Sequence, residues 1–221
     1  MNRGWVLTLV MIVWARPSWA NDSQSVSDPL PAGALTTGQH SDEWKIENAL
    51  SAAPAIIAEH ATVMDWPTNP KQHEHGRILR QGTNGWMCMP DQPGVPQHNP
   101  MCADETMMKW ILASIAGKKP NIDRVGISYM LLGEAGADVG DITATKPPAG
   151  KDWYYAGPHV MLVFPDSAAP ALRQINREPS TNGPYVRWLR YEGATPLLVV
   201  PVAKAGERIE AKRPAAKPAA P

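Results

Sequence analysis

Trp86-Met87-Cys88-Met89-Pro90-Asp91 and Met101-Cys102-Ala103-Asp104-Glu105 hold the only two cysteines of this 221-residue chain. Strand alternation puts Trp86 and Cys88 on one face and Met87 and Met89 on the other. Asp104 stands where a helix cap belongs, and Met107, Met108, Trp110, Ile111, Ala113, Ile115 and Ala116 continue at helical spacing to Gly117. A Cys88–Cys102 disulfide therefore ties a short strand to the lead-in of the clearest helix. In the chain-entropy view such a loop adds about 3 kcal/mol. Pro90, Pro93, Pro96 and Pro100 reduce that, because they already stiffen the unfolded loop.

Outward from this segment, Ser41-Asp42-Glu43-Trp44 reads as a capped helix start, and Pro54 suits the first turn of a second short helix. Short apolar runs at 62–66, 78–80, 125–132, 159–164, 185–191 and 196–202 read as strands, the last apolar enough for burial on both faces. Residues 133–150 are a Gly/Asp/Pro-rich excursion. Short strands with helices grouped apart predict an α+β domain: a largely antiparallel sheet, two or three helices and one disulfide.

The ends indicate compartment. Arg3, the apolar run from Trp5 to Trp14 and Ser18-Trp19-Ala20 form a signal-peptide pattern over 1–20, about ten apolar residues where a spanning helix needs about 20. Residues 21–40 read as a disordered lead-in, 41–203 as the globular domain and 204–221 as an Ala/Pro/Lys-rich flexible tail. The expected location is periplasmic or secreted, where a disulfide persists. Between Asn21 and Ala203 stand 14 basic and 19 acidic residues, a net charge of −5. A mildly acidic body argues against nucleic acid as a partner, and no membrane span is expected after signal cleavage.

Candidate functional residues fall into three sets. Arg80, Asn84, Trp86 and Asp91 are ligand-binding candidates beside the stapled loop. Asn84-Gly85 is also a tight-hairpin signal. Asp91, Asp104 and His159 are the acid–base candidates for a hydrolase, although Asp91 suits a turn, Asp104 a cap and His159 the start of an apolar strand. Met87, Met89, Met101 and His98, with His73-Glu74-His75 upstream, are thioether and imidazole donors suited to copper; no spaced ligand set accompanies them. The His-Glu-x-x-His, Gly-x-Ser-x-Gly, phosphate-loop and dinucleotide signatures are absent. Trp44, Trp66, Trp86, Trp110, Trp153 and Trp188 stand beside a single phenylalanine, and serve a core or line a pocket.

Arg80, Gly82-Thr83-Asn84-Gly85-Trp86, Cys88-Met89-Pro90-Asp91, Pro100-Met101-Cys102, Asp104, Tyr129-Met130-Leu131, Gly157-Pro158-His159-Val160-Met161 and Thr195-Pro196 resemble an uncharacterised family of exported bacterial proteins over about residues 43–202. The resemblance implies an exported globular domain and carries no activity. Family members tend to show a histidine after the last Thr-Pro, where this chain has Leu197-Leu198-Val199-Val200. The expectation is thus an exported domain that binds a small ligand or a protein partner. A periplasmic hydrolase and a copper-handling protein are the competing readings, and no cofactor is assigned.

Overall fold

In the computed structural model, residues 40–67, 76–175, 183–191 and 193–202 are described. The signal, lead-in and tail expectations, and His73-Glu74-His75, lie outside the described residues, apart from His40. Helix α1 (Asp42–Leu50) starts where Ser41 Oγ accepts from the Trp44 amide at 3.3 Å. Helix α2 (Ala55–Ala58) follows Pro54. Strands β1 (Thr62–Met64), β2 (Ile78–Arg80), β3 (Met87–Met89) and β4 (Met101–Ala103) lead into helix α3 (Glu105–Ile115). Then come β5 (Gly126–Met130), β6 (Glu134–Gly136), β7 (Tyr154–Ala156) and β8 (His159–Val163). A 3-10 turn, α4 (Ala169–Leu172), β9 (Tyr185–Arg187) and β10 (Leu197–Pro201) complete the domain.

Eight strands form one sheet in the order β2-β1-β3-β4-β5-β8-β10-β9, and β6 and β7 form a separate antiparallel ribbon. Only the β1–β3 pair is parallel; the other neighbours are antiparallel. The result is the α+β domain expected, with two longer helices and two of one turn. The parallel pair corrects the reading of Asn84-Gly85. β2 and β3 flank β1, so the chain between them crosses its end and makes no hairpin. Asn84 makes an Asx turn, its Oδ1 accepting from the Trp86 amide at 3.1 Å.

The sheet's faces carry two cores. On one, Val63, Cys88 and Cys102 pack with Ala49, Ala52 and Ala53 from α1 and the turn after it, with Trp86 and Tyr129 alongside. On the other, Met89, Met101, Met130, Met161, Val163, Leu197 and Val199 pack with Met107, Met108 and Trp110 of α3. The alternation expected for Trp86 to Met89 is therefore the one observed. β10 buries Leu197 and Val199 but leaves Leu198 and Val200 half-buried, so its second face is less covered than expected.

Cys88 and Cys102 are direct cross-strand partners of β3 and β4, with Cα atoms 3.9 Å apart. The staple is thus strand to strand, a correction to the strand-to-helix expectation; Cys102 belongs to a strand of three residues that alternation could not reveal. Replacing both cysteines by alanine is expected to cost about 2–3 kcal/mol, below the ~3 kcal/mol of an unstiffened loop. Urea unfolding measures it; an unchanged midpoint would show that the loop is held without the staple.

After β5 the chain turns at Gly133, whose φ is 88° and whose added Cβ would lie 2.6 Å from the Ala156 carbonyl oxygen. Only glycine fits there. This turn lays the β6–β7 ribbon over the α3 face of the sheet, beside His159 and β9.

Candidate functional site

Cross-strand pairing sets the site. Val163, Leu197 and Arg187 stand opposite one another, as do Met161, Val199 and Tyr185, so Arg187 and Tyr185 share the buried face with His159. A charged residue there needs a partner. Glu134 at the start of β6 supplies it: Arg187 Nη1 donates to Oε1 at 3.0 Å and to Oε2 at 3.2 Å. Arg187 Nε donates to the Val139 carbonyl at 3.2 Å, and Nη1 lies 3.1 Å from the Tyr154 hydroxyl. Tyr154 donates to Glu134 Oε2 at 2.6 Å. The guanidinium also lies over the Tyr154 ring, 5.1 Å from its centroid.

His159, 1% exposed, sits behind Glu134. Its Nδ1 is 2.7 Å from the Gly157 carbonyl, an acceptor only, so Nδ1 carries the proton. Nε2 is then 3.5 Å from Glu134 Oε2 and has no hydrogen-bond partner.

Burial pushes the Glu134 carboxyl up, but the Arg187 guanidinium and the Tyr154 hydroxyl outweigh it and hold the group below its ordinary range. Burial pushes His159 down, and Glu134 offsets only part of that. For Arg187 burial opposes the charge, yet the Glu134 carboxylate raises it above its ordinary value. The Tyr154 phenol is pushed well up, first by burial.

The signs for Glu134 and His159 agree. Each has a folded pKa below its unfolded one, so the unfolded chain takes up the proton first as pH falls. The contribution of neutral His159 is complete above its ordinary 6.5 and declines below it; that of ionised Glu134 is complete above 4.5 and declines below that. Stability is expected to fall on acidification from pH 7 to 5.5, by at most about 1.4 kcal/mol per pH unit per proton. His159→Gln should flatten that fall, as urea midpoints across the range would show. A wild-type protein that gained stability relative to His159→Gln on acidification would contradict the sign.

Glu134 and Arg187 also line a cleft of about 60 Å³. Its other walls include Gln92, Val95 and Asn99 from the disulfide-closed loop, and Trp153. The loop is thus a brace and a wall at once. Asp91 knots it: Oδ1 accepts from the Asn99 amide at 2.7 Å, and Oδ2 from His98 Nδ1 at 2.6 Å and Asn48 Nδ2 at 3.1 Å. Asn48 Oδ1 returns a bond from the Asp91 amide at 2.7 Å. A second groove, of about 250 Å³, lies across residues 140–143, between Ser114, Leu189 and Tyr191.

Other sequence candidates have structural tasks. Arg80 Nη2 donates to the carbonyls of Ala58, Glu59 and Ala61 at 2.7, 3.3 and 2.8 Å, closing the end of α2. Asn84 Nδ2 donates to the Ile57 carbonyl at 2.8 Å, and Trp86 packs on Tyr129 with ring centroids 5.6 Å apart. Asp104 caps α3, accepting from the Met107 amide at 2.7 Å, and holds β5 through the Ile127 amide at 3.0 Å. Asp91 follows the Met89–Met101 end of the β3–β4 pair and Asp104 the Met87–Ala103 end. Asp91 and Asp104 therefore stand at opposite ends of that pair and do not meet, while His159 faces Met130 at the Met101 end of the sheet. Met89 and Met101 are core residues of the α3 face, and Met87 packs against that core. Among the described residues no group of three or more His, Cys, Asp and Glu is placed to hold a metal.

Glu134, Arg187 and Tyr154 were not singled out from sequence. The available signal was Arg187 itself, a charge in register with buried Tyr185. No family model, no curated protein and no solved structure matches this chain.

Proposed function

We propose that this is an exported binding protein whose ligand is a small molecule seated between the 88–102 loop and the β6–β7 ribbon. One observation carries the reading: a buried Glu134–Arg187 pair, bonded through both carboxylate oxygens, lines a cleft that the disulfide-pinned loop also walls. Preformed polar groups at the floor of a concave site give orientation without reorganisation. The disulfide supports export, and no helix among the described residues is long and apolar enough to cross a membrane.

Trp153 on the cleft wall supplies the readout. Small metabolites and short glycans are screened by thermal shift and tryptophan fluorescence, with Trp153→Phe separating its signal from the other indoles. A saturable ligand whose fluorescence change disappears in Trp153→Phe, while its thermal shift persists, is the expected result. Silence across the library overturns the reading.

A further inference from the structure

We propose that the ligand presents an uncharged amide group, its carbonyl oxygen accepting from Arg187 Nη2 and Asn99 Nδ2. The inference rests on the binding reading above and names the chemistry of that same cleft.

Two donors in the cleft wall are unspent. Arg187 uses Nε on Val139 and Nη1 on Glu134 and Tyr154, so Nη2 keeps its hydrogens without an acceptor among the described residues. That side chain is 3% exposed. Asn99 is 6% exposed. Its Oδ1 accepts from the Gln92 amide at 2.8 Å, which fixes the oxygen at that end and the NH2 at the other. Nδ2 has no acceptor among the described residues. Neither nitrogen is sealed from solvent, and both residues line the cleft over Glu134. Nearly buried donors left open at a cleft wall mark where a ligand acceptor belongs.

Asn99 is also held in place. Its backbone amide donates to Asp91 Oδ1 at 2.7 Å, inside the loop that the disulfide closes. Asp91 in turn accepts from Asn48 and His98. The donor is therefore fixed before a ligand arrives, which lowers the ordering cost of binding.

The class of acceptor follows from the lining. A carbonyl oxygen has two lone pairs and no hydrogen, so it can accept from both nitrogens at once. An ammonium would set its own N–H groups against them. A carboxylate would accept, but Glu134, Asp138 and Asp141 line the same cleft, against the guanidiniums of Arg187 and of Arg190, which pairs with Asp138. Another negative charge adds to that excess. A neutral carbonyl avoids it. Trp153, Val95 and Ile142 complete the lining and suit the flat face and carbon substituent of an amide in a cleft of about 60 Å³.

The test uses the full chain, isotope-labelled, with NMR of the Asn99 and Trp153 side-chain N–H signals and calorimetry for affinity. The probes are acetamide, N-acetylglucosamine and acetyl-alanine methylamide, against acetate, n-propanol and ethylammonium. The amides are expected to bind saturably and to shift the Asn99 NH2 signal; the acetylated sugar and the capped alanine separate a glycan from a peptide as the source. Asn99→Asp keeps the oxygen that the Gln92 amide requires and replaces the donor by an acceptor, so it should weaken amide binding about tenfold. The exposed Asp123→Asn, outside the cleft lining, should leave it unchanged. Acetate binding as tightly as acetamide, or amide binding indifferent to Asn99→Asp, overturns the amide inference. Should Asn99→Asp fail to fold, the comparison of acetamide with acetate and propanol on the wild-type chain still decides. If acetate, propanol or ethylammonium binds with a Trp153 signal and the amides do not, the inference falls and the binding reading stands; if nothing binds, both fall.

Discussion

Arg187→Leu is expected to destabilise the domain by about 3–5 kcal/mol, the usual cost of removing one member of a buried ion pair. The loss comes from what remains. Glu134 keeps its charge behind the 88–102 loop with Tyr154 as its remaining close donor, and the Val139 carbonyl loses its partner. The double variant Glu134→Leu/Arg187→Leu removes both charges and should recover much of the loss, because apolar residues of similar volume often replace a buried pair at little cost. Arg187→Lys should fall between, since one ammonium cannot reach Glu134, Val139 and Tyr154 with the same fork. Urea unfolding of the wild type, Arg187→Leu, Glu134→Leu and the double variant closes the cycle, with Arg187→Lys measured alongside. If Arg187→Leu costs under about 1 kcal/mol, or the double variant is worse than both singles, the network does not hold the ribbon on the sheet. Should Arg187→Leu fail to fold, the double variant still decides.

Trp110→Ala is expected to cost a similar 3–5 kcal/mol for a different reason. Trp110 is 2% exposed and packs with the α3-face core. Its Nε1 donates to Thr195 Oγ1 at 2.7 Å, fastening α3 to the chain just before β10. Truncation leaves a cavity and an unpartnered hydroxyl together. Trp110→Phe keeps most of the ring volume and should lose about 1–2 kcal/mol, mainly the hydrogen bond. Thermal and urea unfolding both measure this, and a loss below about 2 kcal/mol for the alanine variant would mean that the core collapses to fill the space.

Elements with a strong local signature were legible. α1 and α3 begin at Ser41 and Asp104 because those side chains satisfy amides of the first turn. β8 is four apolar residues after His159, and β10 is an apolar run of five. β4, β6 and β7 have three residues each, too few for a period to show, and β6 is Glu-Ala-Gly, with no strand preference of its own. Asn84-Gly85 carried a hairpin signal that the parallel β1–β3 pairing overrode. The site was the least legible part. Glu134 and Arg187 are 53 residues apart, and neither stands in a motif.

For the Cys88–Cys102 segment, the chain alone determined the disulfide, since only two cysteines exist, and the opposite facing of Trp86 with Cys88 and Met87 with Met89. Both follow from composition and the period of a strand, which are local quantities. Only the tertiary structure decided that the loop closed by that disulfide walls a cleft over Glu134 and Arg187. That contact depends on the order of five strands beyond β3 and on the turn at Gly133 that folds the β6–β7 ribbon back over the sheet. Such long-range pairings arise from the joint burial of two faces, and no stretch of local sequence encodes them.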